Sequence, residues 1–385
     1  MAELTNTLPG TDPLRRRHLP VVDCVPIERG GRVVAAPQSA TGLAPSADLI
    51  DAWTRRVSYL RVSLTDRCNY RCDYCMPMAE PSRMVREKVL SVDELVNIVA
   101  ALKRVGVRRV RLTGGEPSVR KDLLTIVARL AKQGLDELSL SSNGELLSEL
   151  AAPLREAGLS RVNISLDTLD PERFRSITRH GNLERVLAGI ERVRAVGFPH
   201  TKLNTVALRS FNDHELGKIC RFALEHDLTP RFIELMPMGS GVSVDRPSFL
   251  SAAEIRDLLT AEFGPILPIH EEQPALPGGG PARYVGLRFG HEVRRVGLIA
   301  AVSEPFCDTC NRVRLSASGQ LHACLGYDEA IDLAAIVRSE TSAPRDCAQA
   351  VVTAVQEALL HKRARHGFTH SGCGGPQKHM VSIGG

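Results

Sequence analysis

No apolar stretch in this chain approaches the roughly 20 residues that a helix needs to cross a bilayer, so a membrane-embedded protein is not expected. Aromatic residues are sparse as well. Neither sign of charge dominates: a net +5 suits an anionic ligand but falls short of a nucleic-acid footprint. Arg15, Arg16 and Arg17 are followed by no apolar core of a leader, and Glu3, Asp12 and Asp23 argue against a transit peptide. Residues 1–50, rich in Pro, Gly, Ala and Arg and lacking helical or strand periodicity, read as a disordered N-terminal extension. Cysteine is not lacking. Ten of them without a secretory leader point to a reducing, cytoplasmic compartment and to metal binding rather than disulfides. Cys24, Cys220, Cys347 and Cys373 stand alone and read as buried or incidental thiols, and the others fall into two motifs.

The first motif is Cys68, Cys72 and Cys75 in the run from Thr65 to Met76, spaced Cys-x3-Cys-x2-Cys. Three thiolates on a four-iron cube leave one iron without a protein ligand, and an open corner favours chemistry over electron storage. A structural zinc knuckle with a distant fourth ligand is the alternative, although the three-plus-two gap fits zinc's usual Cys-x2-Cys pairs poorly. This spacing, with Tyr74 just before the last cysteine, resembles the radical S-adenosylmethionine enzymes. The resemblance implies that the open iron chelates the amino and carboxyl groups of the cofactor's methionine, whose reductive cleavage yields a 5′-deoxyadenosyl radical.

From Arg56 to Met236 helical stretches ending in Gly106, Gly134, Gly158 and Gly197 alternate with short β-branched runs. The expected strands are Val57–Leu64, Val107–Thr113, Leu138–Ser142, Val162–Asp167, Leu203–Leu208 and Arg231–Met236. Ser91 and Glu94 form a capping box for the first helix. Alternating elements predict parallel βα units, and six are too few for a closed eight-stranded barrel. The fold class is therefore α/β, a partial (βα)6 TIM-like barrel over residues 51–240. Side chains alternate between the two faces of a strand. Leu60, Val62, Leu64, Val110, Leu112, Leu138, Leu140, Val162, Ile164 and Leu166 share the face that packs on helices. Arg61, Ser63, Thr65, Arg109, Arg111, Thr113, Ser139, Ser141, Asn163, Ser165 and Asp167 share the other, and Lys202, Asn204, Glu234 and Met236 continue it. A polar lining implies a wet or ligand-filled cavity, because buried unpaired charge is costly.

The mouth of such a cavity lies at the C-terminal strand ends, where the cysteine loop follows the first strand. Gly114-Gly115-Glu116-Pro117 follows the second strand and matches the radical enzymes' motif that holds the methionine amino group. By the same resemblance Ser165 and Met236 contact the cofactor's carboxylate and adenine ends.

Beyond residue 240 the pattern changes to a helical piece, Ala252–Phe263, a Pro/Gly-rich linker, Pro274–Pro281, and a hairpin within Arg283–Val302. A second motif then supplies Cys307, Cys310 and Cys324, with Arg312, Val313 and Arg314 directly after Cys310 and Asn311. Zinc is a stronger alternative here, because Cys-x2-Cys is its preferred spacing. The two motifs together, with Ile383-Gly384-Gly385 at the end, closely resemble the GTP 3′,8-cyclases of molybdenum cofactor biosynthesis. That resemblance implies an auxiliary [4Fe–4S] and GTP-binding domain at 241–385, two [4Fe–4S] clusters, S-adenosylmethionine as cofactor and GTP as substrate. It also implies an electron donor such as flavodoxin or ferredoxin, and a downstream cyclic pyranopterin synthase that takes the product. A homodimer is one assembly it allows. Arg61, Arg111, Lys202, Arg312 and Arg314 supply cations suited to a triphosphate. Val313, Ser141 (commonly Thr in the family), Gly384 and Gly385 join them as substrate contacts by resemblance. No side chain is nominated as a catalytic acid or base. Two other readings remain open at this level, a radical peptide-maturation enzyme and a non-catalytic metal-binding scaffold.

Overall fold

Runs in which apolar and polar residues alternate become β1 (Tyr59–Ser63), β2 (Arg109–Thr113), β3 (Glu137–Ser142), β4 (Arg161–Ser165), β5 (Lys202–Ala207) and β6 (Thr229–Glu234) in the computed structural model. The structure describes residues 48–76, 84–239, 248–269, 280–339, 344–369 and 375–384. Nearly all of the expected N-terminal extension and of the Pro/Gly-rich linker, together with Cys24, Cys373 and Gly385, lies outside the described residues. The six strands pair in chain order, all parallel. Parallel neighbours need a crossover, and it is supplied by α1 (Val92–Arg104), α2 (Leu123–Ala131), α3 (Leu147–Glu156), α4 (Pro171–Thr178), α5 (Leu183–Val196) and α6 (Leu216–Glu225).

Local chemistry sets the helix ends. The Ser91 hydroxyl accepts from Glu94 N–H, and Glu94 returns a bond from Ser91 N–H at 2.7 Å, closing the capping box of α1. Asp170 and Asn182 cap α4 and α5 in the same sense. Gly197 ends α5 at φ +78°, a left-handed conformation in which a Cβ would be strained.

The C-terminal residues join this sheet rather than build one of their own. After α7 (Ala252–Phe263) come β7 (Arg283–Phe289) and β8 (Glu292–Ile299), an antiparallel hairpin whose second strand runs parallel to β6. β9 (Arg312–Leu315) runs parallel to the other edge strand, β1, and β10 (Gln320–His322) and β11 (Ile331–Asp332) extend it antiparallel. The result is one eleven-stranded sheet, in which the partial barrel has both edges covered by later segments of chain. α8 (Leu333–Val337), α9 (Pro344–Leu360) and α10 (Met380–Ile383) complete the order. No helix among the described residues is long and apolar enough to cross a membrane.

Leu60, Val62, Leu64, Val110, Leu112, Leu138, Leu140, Val162, Ile164 and Leu166 are all buried in one core under the helices, each adding about 1.5–3 kcal/mol over exposure. The opposite face follows the register: Arg61 stands beside Arg111 and Arg314, Ser139 beside Arg161, Asn163 beside Lys202, and Asn204 beside Arg231. One strand departs from the expected alternation. Because Asn204 pairs with Arg231, it is Arg231 and Ile233 that face inward, whereas Glu234 turns to the outer side. There the Glu234 carboxylate accepts from Ala252 N–H at the start of α7 and from Val302 N–H, both at 2.8 Å. The chain leaves the sheet after Glu234, so counting back from Met236 carries the wrong phase.

Candidate active site

The first cysteine loop leaves the C-terminal end of β1. Cys68, Cys72 and Cys75 are half-buried, and Cys75 N–H and Met76 N–H both donate to Cys72 O, at 2.9 and 3.0 Å. The loop is braced by the segment after β2: Gly115 N–H donates to Thr65 O at 2.7 Å and Glu116 N–H to Arg67 O at 2.8 Å. A Cβ on Gly115 would collide with the Arg67 carbonyl, so glycine is what lets the two loops touch. Glu116 is fully buried and accepts from Ser118 N–H (3.0 Å), Ser118 Oγ (2.6 Å), Ser142 Oγ (2.9 Å) and Asn143 N–H (2.7 Å). Burial pushes its carboxyl upward against the pull of those donors. Asn143 Nδ2 then donates to Asn69 Oδ1 at 2.8 Å, inside the cysteine loop itself.

Tyr74 is fixed by a residue on the next layer of the mouth. Its hydroxyl donates to Asp167 Oδ2 at 2.6 Å, while Asp167 Oδ1 accepts from Val206 N–H at 2.8 Å. Burial raises the Asp167 carboxyl to about 6, and the two donors offset only part of that. Ser165 is exposed at the C-terminal end of β4, so the inner face is open to water there. Met236 packs against the apolar cluster of Met238, Ala301, Val302, Phe368 and Ile383.

The second loop lies at the opposite end of the inner face. Cys307 and Cys310 precede β9, which runs parallel to β1, and Cys324 follows the antiparallel β10. The two loops are therefore separated by at least the span of β1, roughly 13 Å at about 3.3 Å per residue. Arg55 Nη1 donates to Cys307 O at 2.8 Å, and Lys362 Nζ lies 3.6 Å from Cys310 Sγ.

Both sets of thiols suit a cationic core. Burial pushes Cys68 up to about 12, with Glu116 adding to it, and burial carries Cys75 to about 11. Cys72 is held well above the ordinary thiol range by burial and then by Cys75, Asp167 and Cys68. In the second set burial raises Cys324, whereas at Cys310 the burial effect is outweighed by Lys362, Arg312 and a backbone donor, leaving its thiol below the ordinary value. Neighbouring thiols that resist ionising together are stabilised as thiolates by a bound cation. Among the described residues no three His, Cys, Asp or Glu side chains converge as around a single ion. Three thiolates at each loop fit an open-cornered four-iron cluster.

Between the loops the inner face is cationic. Arg61, Arg111, Arg161, Lys202 and Arg231 come from β1, β2, β4, β5 and β6, and Arg312 and Arg314 from β9. Glu137 pairs with Arg161 and lies 3.9 Å from Arg111. Burial and then the neighbouring cations depress Lys202 to about 6, Arg231 and Arg314 to about 10, and Arg61 well below its ordinary value. A surface under that much self-repulsion is suited to a polyanion. The C-terminal segment reaches it as well: Arg314 Nη1 donates to Gly384 O, and a Cβ on Gly384 would lie 2.6 Å from Thr113 Cγ2.

Apart from Glu234, which turns to the outer side, the expected lining residues share one inner face, with two further qualifications. Val313 pairs with Leu60 and its side chain is buried in the outer core, so alternation turns it away from the cavity. Gly385 is outside the described residues. Sequence reading overlooked Arg161 and Arg231, although strand parity with Asn163 and register with Asn204 mark both. It also passed over Arg55, Asp167 as the partner of Tyr74, and Lys362, whose roles depend on contacts between distant parts of the chain.

An α/β sheet with a three-thiol loop at the mouth of its first strand defines the radical S-adenosylmethionine class, and residues 62–223 match the Radical SAM superfamily. Residues 228–368 match Molybdenum Cofactor Synthesis C. The chain is 44% identical over 327 residues to the GTP 3′,8-cyclase of Pseudomonas entomophila (strain L48), covering 84% of this chain and 94% of that protein. It is also 44% identical to GTP 3′,8-cyclase 1 of Pseudomonas aeruginosa PAO1, covering 84% and 95%. Among solved structures, Streptococcus suis SuiB bound to S-adenosylmethionine is similar at a TM-score of 0.45 and 16% identity, over 52% of this chain and 46% of that one. The chain belongs to the GTP 3′,8-cyclase family.

Proposed function

We propose that this chain converts GTP to 3′,8-cyclo-7,8-dihydro-GTP, the first step of molybdenum cofactor biosynthesis, at the inner face between the two cysteine loops. One observation carries the reading: a face lined by Arg61, Arg111, Arg161, Lys202, Arg231 and Arg314, opposed by Glu137, lies between two three-thiol loops at its opposite ends. Cys68, Cys72 and Cys75 would hold one [4Fe–4S] cluster with S-adenosylmethionine on its open iron, and Cys307, Cys310 and Cys324 a second that takes the guanine end of GTP. When bound, the first cluster and its cofactor would supply the radical chemistry that takes the ribose 3′ hydrogen, and the cyclisation would join that carbon to C8 of the purine.

The protein's own residues place and enclose the reactants. Arg side chains match phosphate oxygens bidentately, and the strands hold them at fixed positions before substrate arrives. Gly114, Gly115 and Glu116 set the cysteine loop against β2 and present the cofactor's amino end. Ser165 and Met236 stand at its carboxylate and adenine ends, and Asp167 holds the Tyr74 ring beside it. Ser141 adds a hydroxyl to the lining. Gly384, held by Arg314 against Thr113, covers part of the inner face and excludes water from a reactive radical. An electron donor such as flavodoxin or ferredoxin supplies the electron for cofactor cleavage, in the cytoplasm, and a cyclic pyranopterin synthase takes the product.

The test is an anaerobic assay of reduced, reconstituted protein with S-adenosylmethionine and GTP, followed by mass spectrometry. GTP-dependent 5′-deoxyadenosine together with an isomerised nucleotide is expected. Cofactor cleavage that ignores GTP would refute the substrate assignment.

A further inference from the structure

Lys362 is 4% exposed, and its ammonium donates to Arg312 O at 2.9 Å and lies 3.6 Å from Cys310 Sγ. Among the described residues it makes no salt bridge to a carboxylate, whereas Arg363 and Arg365 on either side of Ala364 do, with Glu329 and Asp308. A buried ammonium needs an anion nearby, and the sulfur of Cys310 is what the fold offers.

The side chain is set by residues more than three hundred positions earlier. Trp53 Nε1 donates to Lys362 O at 2.9 Å. Arg55, ion-paired to Asp51 at 2.6 Å, donates to Arg363 O at 2.9 Å, Ala364 O at 2.7 Å and Cys307 O at 2.8 Å. One guanidinium therefore ties the second cysteine loop to the segment that carries Lys362, and the indole fixes that segment's backbone. Cations and N–H donors beside cluster sulfurs favour the reduced, more negative state and help retain the core.

We propose that Lys362, held in place by Trp53 and Arg55, is a positioning and charge-balancing residue for the iron–sulfur cluster of Cys307, Cys310 and Cys324. This rests on the reading that the second motif holds such a cluster. Lys362 offsets the negative charge of the three thiolates and their core, and orients Cys310 toward it. Its contact is with a ligand, not with substrate.

The experiment uses the full chain with Cys68, Cys72 and Cys75 changed to Ala, reconstituted anaerobically with iron and sulfide, so that bound iron belongs to the second motif. This parent is expected to hold about four irons per chain. Lys362→Met keeps length and removes charge. It should shift the cluster's midpoint potential in an EPR-monitored titration to more negative values, or lower the iron content at an unchanged melting temperature, and Lys362→Arg should restore both. Where Lys362→Met fails to fold, Trp53→Phe decides: it removes the single bond to the Lys362 carbonyl and should shift the potential in the same direction. Iron content and potential equal to the parent's in the folded variant would overturn the role of Lys362 alone. A parent without iron would overturn the cluster reading, and this proposal with it.

Discussion

Arg314 donates to the carbonyl oxygen of Gly384, which fastens the C-terminal segment to β9 across the inner face. The same segment places Ile383 in an apolar cluster with Met238 and Val302, and its Val381 backbone draws the Cys75 thiol down against the upward push of burial. One short piece of chain thus touches the first cysteine loop and a cation at the edge of the sheet. Gly384 has φ +80°, and a Cβ there would meet Thr113 Cγ2 at 2.6 Å. Gly384→Ala should displace the segment at a cost of about 1–3 kcal/mol. GTP-dependent 5′-deoxyadenosine formation is expected to fall about tenfold or more, the scale of such a loss in positioning, with the melting temperature little changed. Faster hydrogen exchange over 375–384 would accompany it. Full turnover in the variant would show that this contact is idle.

Glu116 presents a different balance, because its importance lies in what it satisfies. Replacing it by Ala leaves the Ser118 and Asn143 amides and the Ser142 hydroxyl without their acceptor. Buried unsatisfied donors cost about 1–3 kcal/mol each, so Glu116→Ala should lower the stability of the cluster-free protein by roughly 3 kcal/mol or more. Urea denaturation measures this directly. A loss below about 1 kcal/mol would mean that water or a neighbouring side chain replaces the carboxylate.

Much of this arrangement is legible in the sequence. Alternation in Leu60–Leu64 and Val110–Thr113 separates core from lining, and the cysteine spacings mark both loops before any fold is known. The phase of β6 is not, since Glu234 and Arg231 are both plausible inward residues until pairing with Asn204 decides between them. Nor does local pattern show that β8 and β9 cover opposite edges of the same sheet, which makes 241–385 less separate than its composition suggests. Trp53 and Arg55 escape for the same reason, each bonding across more than 250 positions, and the Lys362 side chain bonds back across 50 positions to Arg312 O.

Asp167 links the site to pH. Its carboxyl is raised from an ordinary 3.8 to about 6, first by burial. The folded state therefore binds this proton more readily than the unfolded state, so its contribution to stability is present below the ordinary value and is lost as pH rises through about 6. Relative to Asp167→Asn, the cluster-free wild type should lose stability between about pH 4 and pH 6.5. Denaturation midpoints of both proteins across that range provide the check, and a constant difference between them would refute the assignment. The variant should also loosen Tyr74, whose hydroxyl then donates to a neutral amide.

Lys202 gives a prediction with the opposite sign. Burial, then Arg161, Arg231 and Arg111, depress its ammonium from 10.5 to about 6. Between those values the unfolded chain holds a proton that the folded chain lacks, so the empty protein should gain stability as pH rises through that window. A triphosphate placed beside Lys202 reverses the local field and restores its affinity for the proton. GTP binding at about pH 7.5 should therefore take up protons, and affinity should weaken as pH rises from about 6 to 9. Calorimetry in buffers of different ionisation enthalpy reads the uptake as a buffer-dependent binding enthalpy. Lys202→Arg should keep most of the affinity while abolishing the uptake, because guanidinium stays charged throughout. Lys202→Met should lose both. Identical enthalpies in every buffer for the wild type would place the triphosphate away from Lys202 and return that side chain to a purely structural role in the sheet.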